Sequence, residues 1–309
     1  MQAKKTILLT GGTGFLGSHL LRDLASTGAY SIIVLRRKTS SMERIEKVCH
    51  FTQNENVSFF EIGDANSVKA LFEKYKIDVI IHTATAYGKD KSMPSEILGA
   101  NLIFPLTLIE QGIKAGVSLF INTDSYFNKP NKSYATLLDY SLSKKSLNLW
   151  LEHLSAKCKV VNLRLEHLYG EFDNANKFCE SIIQSVAVRK EKSIDLTFGE
   201  QKRDFVFVDD VCAAYLAVLE NYEKYFFRHI QCDVGTGVAT PIKDFVNLVK
   251  TCSGSGSELR FGAIPYRDDE MMISVADTDF LKNWGFEAKI SCRQGIQKII
   301  DCYRNLEKS

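Results

Sequence analysis

An α/β fold is predicted, built on a doubly wound parallel sheet with a smaller C-terminal α/β lobe. Three observations carry this. Short apolar runs alternate with longer helical patterns through the first half of the chain, the first run passes through a glycine-rich turn straight into a helix, and after Tyr169 the alternation gives way to mixed short elements.

Residues 6–9, 31–35, 57–62, 78–81, 119–122 and 159–164 are short runs rich in β-branched and other apolar residues that lack polar alternation, the pattern of strands buried on both faces. Between them, residues 15–26, 67–74, 95–116 and 140–156 carry helical patterns. Strands separated by helices require right-handed crossovers and hence a parallel sheet. The expected division is a first domain over residues 1–168, with 204–238 returning to it, and an interleaved lobe over 169–309. Loops are expected at 171–176 and 265–270, and the serine–glycine run at 252–257 reads as a surface turn.

Composition narrows the class. With 45% hydrophobic and 25% charged residues, the 309-residue chain is neither disordered, collagen-like nor a coiled coil. A formal net charge of +2 supplies no field for nucleic acid or an anionic membrane as main partner. The apolar stretch after Lys5 is too short for a secretory core and runs into glycines, and no run approaches a membrane span, so a cytoplasmic protein is expected. Eight scattered cysteines, none spaced C-x-x-C, read as buried apolar residues in a reducing compartment, with no metal site.

The first predicted strand enters Thr10-Gly11-Gly12-Thr13-Gly14-Phe15-Leu16-Gly17, and a helix follows. Glycines 11, 14 and 17 permit a tight turn, close approach of a pyrophosphate and close helix packing, while the helix N-terminus offers free N–H donors and a positive dipole end. Dinucleotide binding is the reading, against a plain tight β-α turn. The end of the second strand selects the cofactor. A carboxylate there would accept ribose hydroxyls and repel a 2′-phosphate, but the sequence has Arg36-Arg37-Lys38. A guanidinium at Arg36 can hold a phosphate bidentately, so NADPH is expected over NADH. Asp64, after the third strand, is placed to bind the adenine amino group or to cap a helix.

Tyr140-Ser141-Leu142-Ser143-Lys144 sets a phenol and an ammonium on one helix face. A neighbouring cation lowers a phenol pKa, fitting Tyr140 to exchange a proton near neutrality. Tyr87 and Lys91 share the spacing but fall in a glycine-containing loop. At the end of the preceding strand, Thr123 or Ser125 is expected to hydrogen-bond a substrate oxygen; the alternative is turn chemistry.

Glycines 11, 14 and 17, Asp64, Ile81-His82-Thr83-Ala84, Thr123 and Tyr140-x-x-x-Lys144 occur in one order, followed by RLEHLYG at 164–170, QKRDFVFVDDV at 201–211, VGTG at 234–237, Arg267 and Asp277. This pattern resembles the extended short-chain dehydrogenase/reductase family, the nucleotide-sugar branch on a Rossmann fold, over nearly the whole chain. The resemblance implies that Thr83 and Ala84 contact the dinucleotide, Lys144 binds the nicotinamide ribose, and Tyr140 protonates the sugar oxygen. It matches Thr123 to the catalytic hydroxyl, with Ser125 in reserve, and Arg203 and Arg267 to the arginines that grip the substrate diphosphate. Asn176 and Lys177 fall where members contact phosphate and sugar, and His167 replaces a customary Asn near the sugar. A homodimer through two helices, one carrying the Tyr/Lys pair, is implied as well.

Departures from the family sharpen the expectation. The Thr-Asp-Glu of 4,6-dehydratases here reads Thr123-Asp124-Ser125, lacking the second acid. Epimerases carry an acid where Arg36 stands. NTDSYF, ANKF, GEQKRDFVFVDDV and FGAIPYRDDEMMISVA resemble the CDP-sugar 4-reductases of the CDP-abequose synthase type. The implied activity is NADPH-dependent reduction of the C4 ketone of a CDP-linked 4-keto-6-deoxy or 4-keto-3,6-dideoxy hexose, for bacterial surface polysaccharide. The rivals are a nucleotide-sugar 4-epimerase and a non-catalytic NADP-binding regulator.

Overall fold

The computed structural model describes residues 4–50, 54–63, 65–88, 93–129 and 137–306 and divides into two compact units. Unit 1 is Met1–Arg164 with Tyr215–Cys232, and unit 2 is Leu165–Ala214 with Asp233–Ser309. The first break thus falls at Arg164 rather than at residue 168, and the returning segment is Tyr215–Cys232 rather than 204–238. Strand pairing explains the shift: His167–Tyr169 pairs in parallel with Phe205–Phe207, which keeps both segments in unit 2.

Unit 1 alternates β1 (Lys5–Thr10), α1 (Phe15–Thr27), β2 (Tyr30–Arg37), α2 (Glu43–Cys49), β3 (Val57–Ile62), α3 (Ala65–Lys74) and β4 (Val79–His82). There follow α4 (Pro94–Leu98), α5 (Phe104–Ala115), β5 (Leu119–Ser125), α6 (Leu138–Leu154) and β6 (Lys159–Leu165). With the strand His229–Val234 they form a seven-stranded sheet in the order His229–Val234, β6, β5, β4, β1, β2, β3. The registers of β3 with β2, β2 with β1, β1 with β4 and β4 with β5 are all parallel.

Alternation along each strand buries both faces. Leu8, Ile33, Leu35, Ile80, Phe120 and Val160 join one apolar cluster with Val68, Leu71, Leu108, Leu147 and Leu151 from α3, α5 and α6. The intervening Ile7, Leu9, Ile32, Val34, Ile81 and Ile121 are equally buried, as are Leu20, Leu21 and Leu24 of α1. β3 is the exception. Ser58, Phe59 and Glu61 are exposed because β3 ends the sheet, and the absence of polar alternation in its sequence concealed an edge strand.

Two other expectations change. The helix expected at 95–116 is broken by a single π-helical turn, Gly99–Ile103, which turns Asn101 fully into the interior. The run at 252–257 turns at Gly254 (φ 68°) with Gly254 and Gly256 exposed, as expected, but Ser253, Ser255 and Ser257 are buried beneath it, with Ser255 and Ser257 hydroxyls 2.8 Å apart. Among the described residues no helix is long and apolar enough to cross a membrane.

The strand order reverses between β1 and β4, where ligands enter such folds at the carboxyl ends of the strands. The backbone is very tight there. Thr83 N and Thr83 Oγ1 donate to Thr10 O at 3.3 and 2.8 Å, and Gly11 takes a φ of +70°. A Cβ on Gly11 would lie 2.6 Å from both Ala84 N and Thr83 Oγ1, and one on Gly17 would lie 2.1 Å from the Gly11 carbonyl oxygen. Gly17→Ala should therefore cost about 2–3 kcal/mol by backbone collision. Gly28→Ala, at φ +63° with nothing within 4 Å, should cost only about 1 kcal/mol. Urea unfolding of both variants measures this; equal losses would remove the collision argument.

Candidate active site

The turn after β1 ends in a helix start suited to an anion. Gly14 N donates to Gly11 O at 2.8 Å, and Gly14 precedes α1 without any side-chain cap. The first-turn N–H groups of Phe15, Leu16 and Gly17 have no carbonyl one turn back to bond. With the close glycine packing, this cradle fits a dinucleotide pyrophosphate. Thr13 offers its carbonyl to Arg44 Nη1 at 3.5 Å, so a cation from α2, unnoticed in the sequence, sits against the same turn. Ala84 N donates to Thr10 Oγ1 at 3.3 Å, and that hydroxyl meets His82 Nδ1 at 2.8 Å. Burial and the Lys144 charge hold the His82 pKa well below the ordinary histidine value, leaving a neutral ring.

Arg36 and Arg37 end β2. Arg36 is not free: its Nη2 pairs with the Glu61 carboxylate directly across on β3, while Arg37 points to solvent. The expected bidentate phosphate grip is thus already shared with a carboxylate. Asp64 lies outside the described residues.

Deeper in unit 1, α6 carries Tyr140 and Lys144 together into the interior, 5% and 1% exposed. The Lys144 ammonium donates to the Thr123 carbonyl at 2.8 Å, and burial lowers its pKa to about 8 against the opposing charge of Asp124. Tyr140 departs from the expectation of a lowered pKa. Burial, then the phenol of Tyr87 and the charge of Asp124, push its pKa well above the usual value, and a hydrogen bond with Ser125 offsets only part. The lysine has turned to a carbonyl, and desolvation dominates.

The two hydroxyls of β5 meet different partners. Thr123 Oγ1 is 2.6 Å from the fully buried Tyr215 hydroxyl, whereas Ser125 bonds the Tyr140 phenol. Tyr87 stacks on Tyr140, ring centroids 4.9 Å apart at 20°. The π-turn residue Asn101 holds that stack together. It accepts from Ala86 N at 2.7 Å, donates to Ala86 O at 2.8 Å, and donates to Ser143 Oγ on α6 at 3.0 Å. Asn101 and Tyr215 were missed in the sequence, and only Asn101, a polar residue on a predicted apolar helix, left a signal; Tyr87 was noticed for its spacing to Lys91 but not as a partner of Tyr140.

In unit 2, His167 is held near the cations Arg203 and Lys177, and burial with those charges lowers its pKa to about 3, so the ring is neutral. Arg203 Nη1 donates to Lys202 O at 2.9 Å and Nη2 pairs with Glu270 at 2.7 Å, the two side chains being 7% and 14% exposed. Its neighbour Asp204 accepts from Thr236 N, Thr236 Oγ1, Gly237 N and Ala276 N, which pins the strand carrying Arg203. Arg267 is exposed, and its carbonyl accepts from Glu270 N at 3.1 Å, so it opens the turn that carries Glu270. Asn176 is exposed just before Lys177, which precedes the helix Phe178–Ile183.

Known proteins agree with this architecture. The profile of the NAD dependent epimerase/dehydratase family matches residues 7–230. CDP-abequose synthase of Salmonella muenchen is 35% identical over 304 residues, covering 97% of this chain and 98% of that protein. A dTDP-D-glucose 4,6-dehydratase of Mus musculus is 26% identical over 317 residues, covering 97% and 89%. The solved UDP-glucose 4-epimerase of Thermotoga maritima with UDP-glucose superimposes with a TM-score of 0.81 at 25% identity, covering 98% and 99%. The chain belongs to the NAD dependent epimerase/dehydratase family.

Proposed function

We propose that this chain is an NADPH-dependent reductase of the C4 ketone of a CDP-linked 4-keto-6-deoxy or 4-keto-3,6-dideoxy hexose, serving bacterial surface polysaccharide synthesis in the cytoplasm. One observation carries the reading: a buried phenol held in its protonated form, bonded to Ser125 and one helical turn from a buried lysine. A reductase needs an acid at that place. The 35% identity to CDP-abequose synthase supports the substrate class.

When bound, the reduced nicotinamide supplies the hydride for C4. Tyr140 gives its proton to the C4 oxygen, turning the ketone into an alcohol. Ser125, through its bond to the phenol, is the hydroxyl assigned to that oxygen, with Thr123 held by Tyr215 as its support. Charge developing on the oxygen is met by these donors, the interaction most worth having in the transition state. Lys144 orients the nicotinamide ribose and, through its bond to the Thr123 carbonyl, fixes the end of β5 beside Tyr140. The glycine turn with Thr13, Phe15 and Leu16 holds the pyrophosphate, Thr83 and Ala84 flank it, Arg36 and Arg37 face the adenosine phosphate, and Asp64 is assigned to the adenine. Arg203 and Arg267 take the substrate diphosphate, with Lys177, Asn176 and His167 towards the sugar, and that grip turns binding energy into orientation. A second reading, a nucleotide-sugar 4-epimerase retaining NAD, draws support from the Glu61 carboxylate beside Arg36.

The α6 surface supports a homodimer. Leu142, Leu149 and Trp150 are 52%, 67% and 51% exposed on the helix that buries Tyr140 and Lys144 on its other side. An apolar stripe of this kind marks an association surface.

The test of the activity follows NADPH oxidation with CDP-4-keto-6-deoxy and CDP-4-keto-3,6-dideoxy hexuloses, the product being identified by NMR. Tyr140→Phe should lower kcat by about 10²–10⁴-fold with NADPH affinity retained. Ser125→Ala should lower it about 10²-fold and more than Thr123→Val does; the reverse order would return the role to Thr123. Interconversion of two nucleotide sugars without net NADPH use would establish the epimerase instead.

Lys144 has a folded pKa of about 8, below its ordinary 10.5. Between those values the unfolded chain binds more protons, so its burial penalty is fully present below pH 8 and fades as pH rises towards 10.5. Lys144→Met should remove this pH dependence, while leaving Asp124 without its opposing charge and the Thr123 carbonyl without its donor. Urea unfolding at pH 7 and 9.5 should show the wild type gaining stability relative to the variant as pH rises; an unchanged difference would contradict it. In light scattering, Leu149→Glu with Trp150→Glu should halve the mass of a dimer, and an unchanged dimer would place the interface elsewhere.

A further inference from the structure

Three consecutive cations at the end of β2 suggest an unqualified preference for a 2′-phosphate, yet the fold sets an acid among them. Arg36 and Glu61 are register partners on β2 and β3, so their side chains leave the same face of the sheet at adjacent positions. The guanidinium Nη2 pairs with the Glu61 carboxylate, and the side chains are 23% and 49% exposed. Arg36 Nε is buried with no hydrogen-bond partner. The guanidinium is therefore aimed and immobilised by one carboxylate while part of its donor fork stays unused.

We propose that Glu61 is a charge gate at the adenosine 2′-position: held on Arg36, its carboxylate discounts the guanidinium for a 2′-phosphate and offers an acceptor for a 2′-hydroxyl, so the chain takes NADH as well as NADPH. The proposal rests on the reading that the adenosine lies at the end of β2. A 2′-phosphate must share Arg36 with a negative neighbour on an edge strand, and the carboxylate repels it. A ribose hydroxyl can donate to Glu61, as it would to an acid on β2 itself. Arg37 and Arg44 remain as cations that favour the phosphate from the solvent side and from α2.

The test is the dissociation constant of NADPH, NADH and 2′,5′-ADP, by calorimetry, for the wild type, Glu61→Gln, Arg36→Ala and the double variant. Glu61→Gln should tighten NADPH and 2′,5′-ADP about fivefold and leave NADH unchanged or weaker. In the Arg36→Ala background the same substitution should gain less than about twofold, because no guanidinium is left to release. The gate is overturned if Glu61→Gln leaves both phosphorylated ligands within twofold of wild type or weakens them, the result of an acid that only positions Arg36. Glu61→Ala must agree with Glu61→Gln in direction, which separates charge from shape. The broader reading fails separately. Wild type that binds NADH and excludes NADPH refutes NADPH as the natural cofactor, yet the gate stands if Glu61→Gln admits NADPH. Wild type on which 2′,5′-ADP and NADPH do not compete removes the adenosine from β2, and the gate falls with it.

Discussion

An ammonium group buried to 1% exposure has few ways to be tolerated, and the interior around Lys144 is arranged to provide them. Its hydrogens reach the Thr123 carbonyl, and Asp124 supplies the opposing charge. Asp124, only 3% exposed, is in turn bonded by Asn162 and Asn128 side chains at 2.8 and 2.7 Å and by Ser125 N at 2.8 Å. Asn162 also accepts from Asn122 at 2.6 Å and shares Gln231 with Asn148. A polar ladder thus crosses three neighbouring strands of a sheet that is otherwise apolar on this flank. Break it and either an acid or an amine is left dry and unpaired, at a cost well beyond that of an ordinary surface pair.

The same constraint explains the reactive phenol. Lys144 is committed to a carbonyl and a buried carboxylate, so Tyr140 keeps its proton under desolvation. Tyr87 is pressed on its face by the loop that Asn101 ties to α6. A phenol that keeps its proton suits the acid of the proposed reduction, which a permanently ionised tyrosine would not.

Unit 2 shows a parallel economy around Arg203. Its guanidinium is buried with Glu270 as counter-charge, and the strand beneath is fixed by the four donors that converge on Asp204. Arg203 is therefore held in one geometry before any anion arrives, while Arg267 on the following loop is exposed. One arginine is preorganised and the other accessible, a pairing suited to a diphosphate.

What the sequence by itself determined follows local rules. Apolar runs, the glycine turn into α1 and the one-turn spacing of Tyr140 and Lys144 depend on neighbours a few positions away, and they led to the sheet, the turn and the buried pair. Tertiary structure decided the rest, because the deciding partners are distant in the chain. Tyr215, 92 positions from Thr123, meets that hydroxyl, a contact no local pattern announces. Glu61, 25 positions from Arg36, converted a free cation into half of an ion pair. Asp124, noted in the sequence only as the first acid of a Thr-Asp-Glu comparison, is a buried counter-charge bonded by Asn162, 38 positions on. Side-chain type is written locally, but desolvation and charge are sums over whatever the fold brings near, and those sums set which group is paired, which is buried and which keeps its proton.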